Sequence, residues 1–146
     1  MTAFIRRREF ITLLGGAAAA GPIAAAAQQS AMKVPRIAVL TEGGRNSFSS
    51  LVEAFRQGLI ELGYTEGQNV QIEYRWGNGK NDRLRSHAAE LVALNVDVIV
   101  AAGGAQPVLA VKQLSTTIPV VMTNVADPVR FGIVASLARP GGNINE

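Results

Sequence analysis

The sequence has 146 residues, enough for one domain of ordinary size. Its 14 basic and 11 acidic residues give a formal charge of +3, but Arg6, Arg7, Arg8 and Glu9 crowd the first ten positions, and the remainder carries 11 against 10. So neutral a body lacks the clustered basic face that a nucleic-acid partner needs, and a chain with no cysteine and one histidine, His87, has no disulfide, no thiolate metal site, no cysteine nucleophile and no multi-histidine metal centre.

Residues 1–27 read as a targeting segment. The basic run Arg6-Arg7-Arg8 is followed by an apolar stretch over 11–27 that holds Leu13, Leu14 and eight alanines. It ends in Ala25-Ala26-Ala27, a small-x-small cleavage pattern, before Gln28-Gln29. The stretch is too short and too rich in alanine for a permanent span. Arg7-Arg8-Glu9-Phe10-Ile11 resembles a twin-arginine export signal, so the mature chain is expected to be 28–146 and periplasmic.

From Lys33 onward the pattern alternates. Arg36-Ile37-Ala38-Val39-Leu40-Thr41 is a nearly continuous apolar run, the mark of a buried parallel strand. Phe48, Leu51, Val52, Phe55, Leu59 and Leu62 then recur at helical spacing. Asn46 or Ser47 is expected to cap that helix and Gly63 to end it. Over 70–76, Val70, Ile72, Tyr74 and Trp76 alternate with polar residues, which predicts a half-covered strand near a sheet edge. Leu84, Ala88, Leu91 and Val92 mark a second amphipathic helix. Asp97 to Ala102 is a third strand, turned by Gly103-Gly104 into a third helix with Pro107 in its first turn. Ile118 to Thr123 is a fourth strand. Asp127-Pro128 predicts a cap and first position for a fourth helix over 131–138, stopped by Arg139-Pro140-Gly141-Gly142. Strands alternating with helices imply a doubly wound parallel α/β sheet, with its binding surface at the carboxyl ends of the strands.

The candidate chemistry is sparse. Gly103-Gly104 stands where a phosphate loop would stand, but no G-x-G-x-x-G or Walker pattern surrounds it. Its glycines serve either a tight turn or backbone capture of a polar ligand group. Glu42 directly follows a buried strand, at the binding edge, where it could hold an ammonium group or stay solvated. Asp127 before Pro128 reads as a cap, Trp76 as packing under a loop, and His87, flanked by Arg83, Arg85 and Glu90, as a surface histidine. No nucleophile with an adjacent base can be assembled. No catalytic residue, metal or cofactor is expected, and the protein is expected not to be an enzyme.

Several stretches carry a family resemblance: Arg7-Arg8-Glu9-Phe10-Ile11-Thr12-Leu13-Leu14-Gly15-Gly16, Phe55-Arg56-Gln57-Gly58-Leu59, Leu62-Gly63-Tyr64, Glu73-Tyr74-Arg75-Trp76, Ile118-Pro119-Val120-Val121, Ala126-Asp127-Pro128-Val129 and Leu137-Ala138-Arg139-Pro140-Gly141-Gly142-Asn143-Ile144. In order and spacing the chain resembles ABC-transporter substrate-binding proteins of the tryptophan/tyrosine type, with the type I periplasmic-binding fold. The resemblance implies two lobes clasping a small-molecule ligand, possible amino-acid specificity, and docking on an ABC permease in the inner membrane. It also implies that the first lobe offers the loops after strands one, three and four: Thr41, Glu42 and Arg45; Gly103, Gly104 and Gln106; Thr123, Asn124 and Asp127.

In such proteins Gly-Gly-Asn-Ile leads into a second lobe, so 28–146 is expected to be the first lobe only, of a truncated chain. Two other functions compete with uptake. One is a ligand-sensing module of a receptor or regulator, which an export signal and the lack of a helix-turn-helix disfavour. The other is a small α/β enzyme, for which no fingerprint or triad speaks.

Overall fold

The computed structural model describes residues 33–146; the predicted export segment and its cleavage site lie outside them. The described chain runs β1 (Arg36–Thr41), α1 (Ser49–Glu61), β2 (Gln71–Trp76), α2 (Asn81–Ala93), β3 (Val98–Ala102), α3 (Ala105–Lys112), β4 (Val120–Thr123) and β5 (Ile144–Asn145). All pairings are parallel, in the order β2-β1-β3-β4-β5. The order reverses beside β1, which is the switch point of a doubly wound sheet. The alternating segment 70–76 forms the edge strand its pattern predicts.

The two faces are covered unequally. On one, α2 and α3 press Leu84, Ala88, Leu91, Val108 and Val111 onto Ala38, Leu40, Ile99, Ala101, Val120 and Met122, with nearly every side chain excluded from water. On the other lies α1, which has no fully buried residue. Leu51, Val52 and Phe55 stand over Val39, Val100 and Ala102 across an apolar gap of about 70 Å³. Val98, Val100 and Val121 are only half-buried, although parallel strands are normally covered on both sides.

The helix ends follow backbone logic more than side-chain caps. Neither Asn46 nor Ser47 caps α1, contrary to expectation. The chain instead rolls through a single 3-10 turn, Asn46–Phe48, in which the Ser47 N–H donates to the Gly44 carbonyl at 3.1 Å and the Ser49 hydroxyl donates to the Asn46 carbonyl. At the far end Gly63 N–H donates to Ile60 and Tyr64 N–H to Leu59, which closes a Schellman motif where Gly63 was expected to end the helix.

The predicted fourth helix over 131–138 does not form; that stretch is a series of turns. Asp127 Oδ1 accepts from Arg130 N–H at 3.0 Å and so closes a turn, but no helix follows for it to cap: Asp127 and Gly132 both adopt positive φ, 50° and 66°, which a right-handed helix cannot propagate. Lys112 Nζ donates to the Gly132 and Ile133 carbonyls, so two groups that a helix would have used are satisfied from α3. The chain then returns to the sheet as β5, a two-residue strand that no periodicity announces.

On β2, the Tyr74 and Trp76 rings lie parallel, 3° apart in plane and 6.0 Å between centroids. Burial, with the Glu66 carboxylate next among the causes that raise it, lifts the Tyr74 pKa above its ordinary value. A raised folded pKa means that Tyr74's contribution is complete below the unfolded pKa and is lost as pH climbs through the folded one. Urea unfolding from neutral into alkaline pH is expected to show declining stability there, and Tyr74→Phe to flatten part of that decline. An identical decline in the variant would remove Tyr74 as its source.

Candidate functional site

The parallel ladder does not stop where the strands do. Glu42 N–H donates to the Ala102 carbonyl at 3.1 Å and Gly103 N–H to the Thr123 carbonyl at 3.3 Å. On the other side, Gly77, Asn78 and Gly79 donate to the carbonyls of Thr41, Gly43 and Glu42. The starts of four loops are thereby stitched into one rim along the carboxyl edge of the sheet, where the topology puts a binding surface.

Two of the loops are locked by an aromatic ring that the sequence reading assigned to the helix face. Phe48 lies across Gly43 and Gly103: a Cβ on Gly43 would stand 2.5 Å from the ring, and one on Gly103 2.4 Å. Gly103 has φ +92° and Gly104 +146°, values that side-chain-bearing residues rarely adopt. A Cβ on Gly104 would stand 2.1 Å from Glu42 Oε2. The glycine pair thus answers both needs, a strained turn and a close approach by Phe48 and Glu42. The sequence carries no separate signal for this role, because Phe48 also keeps helical phase with Leu51, Val52 and Phe55.

The nine residues expected at the site occupy different positions on this rim. Glu42 rests its carboxylate over Gly104 at the start of α3, with no hydrogen-bond or ion-pair partner among the described residues. Arg45 is exposed and equally without a partner among them, at the edge of an open depression formed with Gly43, Gly44 and Asn78. Thr41 is fully buried, and its hydroxyl donates to the Gly43 carbonyl, so it shapes the turn from inside. Thr123 ends β4 with a shielded hydroxyl that has no partner among the described residues; it faces the α1 side, beside Thr41. Asn124 is exposed with φ 56°, and Asp127 is committed to its turn. Gln106 lines a groove between α2 and α3 with Asn81, Leu84 and Arg85.

Outside the rim, His87 is half-buried rather than fully exposed. Its Nδ1 is 3.6 Å from Glu90, whose carboxylate also meets Arg75 at 3.1 Å. That Arg75 contact, first among several causes, holds the Glu90 carboxyl below the usual range. Among the described residues no group of His, Asp or Glu is placed to hold a metal ion, and no helix is long and apolar enough to cross a membrane.

The loops of one doubly wound α/β sheet thus meet in a stitched rim that carries an acidic and a basic side chain without partners among the described residues. The chain belongs to the family of ABC transporter substrate binding proteins, whose model matches residues 36–145. It is 34% identical over 101 residues to a tyrosine-binding protein of Clostridioides difficile (strain R20291), which is 68% of this chain and 28% of that one. Among solved structures it resembles a conserved domain protein from Vibrio cholerae, with 29% identity and a TM-score of 0.72 over 77% of this chain and 38% of that one. It also resembles an ABC domain in complex with L-Trp from Streptococcus pneumonia, with 26% identity and a TM-score of 0.70 over 77% and 37%. The fold is therefore that of a periplasmic-binding-type lobe. The chain spans well under half the length of each.

Proposed function

We propose that this chain supplies one ligand-holding lobe of an exported solute-binding protein of an ABC uptake system, and that its ligand is a zwitterion of the amino-acid class. The observation that carries this reading is the pair Glu42 and Arg45, opposite charges three residues apart on one loop, both without partners among the described residues. A carboxylate and a guanidinium left open on a rim match an ammonium and a carboxylate on the ligand. Gly103 and Gly104 bring backbone to the same edge, and Asn124 adds an exposed amide. Thr41, Gln106, Thr123 and Asp127 act as supports or outer contacts. The tyrosine and tryptophan named for two relatives favour an aromatic amino acid.

Residues 1–27, with Arg7-Arg8 before the apolar stretch, serve as a twin-arginine-type export signal in this reading, and 28–146 acts in the periplasm, delivering ligand to an inner-membrane ABC permease. The role is binding without catalysis, and no nucleic acid is involved. Calorimetric titration and thermal melts with L-amino acids test it. L-Tyr or L-Trp is expected to raise the melting temperature by mass action. Glu42→Gln and Arg45→Gln are each expected to weaken binding about tenfold, the loss of one charge-assisted hydrogen bond. A cooperative melt that no L-amino acid moves would sink the reading.

A further inference from the structure

The structure has a second concavity whose walls owe nothing to the loops after β3 and β4. It lies between α1 and the edge strand β2, with a volume of about 360 Å³, within the range of small-molecule sites. Its aromatic side is the parallel pair Tyr74 and Trp76. Its apolar side is Val52 on α1. Two guanidinium groups stand around it. Arg56 is oriented by Glu66 at 3.3 Å, whereas Arg45 has no partner among the described residues. The Tyr74 hydroxyl is shielded from solvent and lies on the Glu66 side of the pocket, where the Glu66 carboxylate acts on it.

Each feature selects for a ligand property. Two parallel rings offer contact to a flat group of similar size. An unpaired guanidinium presents a planar fork suited to a carboxylate. Glu66 is engaged by Arg56, and the Glu53 carboxylate acts on Tyr74 from beyond the lining, so the free charge lining the site is the Arg45 guanidinium. We propose that this cavity is a second binding site, for a planar aromatic anion of the aromatic-carboxylate class. It stands apart from the amino-acid reading of the rim, with which it shares only Arg45.

The test uses the chain's only tryptophan, Trp76, which forms part of the wall. Trp76 emission of the full chain is titrated with benzoate, with cyclohexanecarboxylate (the same charge without a flat ring) and with benzyl alcohol (a flat ring without charge). Benzoate is expected to change the emission saturably, and each of the other two to bind at least about tenfold more weakly. Arg45→Ala, a change at an exposed side chain, is expected to weaken benzoate about tenfold. No saturable change with benzoate overturns the proposal. So does equal binding of the three probes, or an Arg45→Ala affinity equal to that of the parent. An amino acid that shifts the melt while benzoate leaves Trp76 unchanged would remove this site and keep the rim.

Discussion

Leu91→Ala is expected to cost about 2–5 kcal/mol of folding stability, whereas Leu51→Ala costs under about 1 kcal/mol. Both remove the same atoms from an amphipathic helix. Leu91 lies on α2 with none of its surface exposed, inside the dense layer that also holds Leu84, Ile99 and Val111. Its loss opens a void walled by side chains that cannot relax far, so transfer and cavity costs add. Leu51 lies on α1, 38% exposed, beside a gap that already exists. Truncation there returns a half-wet side chain to water and creates little new cavity. Urea unfolding of the two variants reads the difference directly. Equal costs would mean that α1 packs as tightly as α2, and the asymmetry of the two faces would have to be abandoned.

That asymmetry was only partly legible in the sequence. The runs at β1, β3 and β4 announce strands expected to be covered on both sides, and the alternation of Ile72, Tyr74 and Trp76 announces an edge. Apolar spacing placed α1 and α2 within a residue or a turn of their observed bounds. Spacing says which face of a helix is apolar, not how closely that face will be met. Leu51, Val52 and Phe55 follow the same rule as Leu84, Ala88 and Leu91, yet only the second set is fully buried.

The errors have local causes. Asp127-Pro128 is a sound turn signal, and Asp127 does hold the Arg130 N–H, but the chain closes back onto the Asp127, Pro128 and Val129 carbonyls, and Lys112 takes the Gly132 and Ile133 carbonyls from α3. β5 exists because Val120 accepts a partner at Ile144, a tertiary event two residues long. At the rim, the sequence pointed to loops that the structure brings to one edge, because strand ends and glycine pairs mark them. It could not separate Thr41, turned inward, from Glu42, turned outward, since one step along a strand end reverses the face.

Phe48 is the residue whose role reading along the chain could not reach, and substitutions at the two glycines beneath it can separate its contribution from backbone strain. Gly43 lies outside the left-handed region, so Gly43→Ala meets only the ring, 2.5 Å from the added carbon. Forcing that ring aside is expected to cost about 1–3 kcal/mol. Gly103→Ala meets the same ring and also carries φ +92°, which adds about 1–3 kcal/mol of strain. In a Phe48→Ala background the Gly43→Ala cost is expected to fall to near zero, while Gly103→Ala keeps its strain component. Double-mutant cycles by denaturant unfolding measure both couplings. If Gly43→Ala costs as much without the ring as with it, Phe48 does not lock the loops and the rim must be held by its backbone bonds alone. If the couplings appear, the ring fixes the spacing between the Glu42–Arg45 loop and the α3 amino end. Phe48→Ala should then weaken amino-acid binding although Phe48 carries neither of the two charges offered to the ligand.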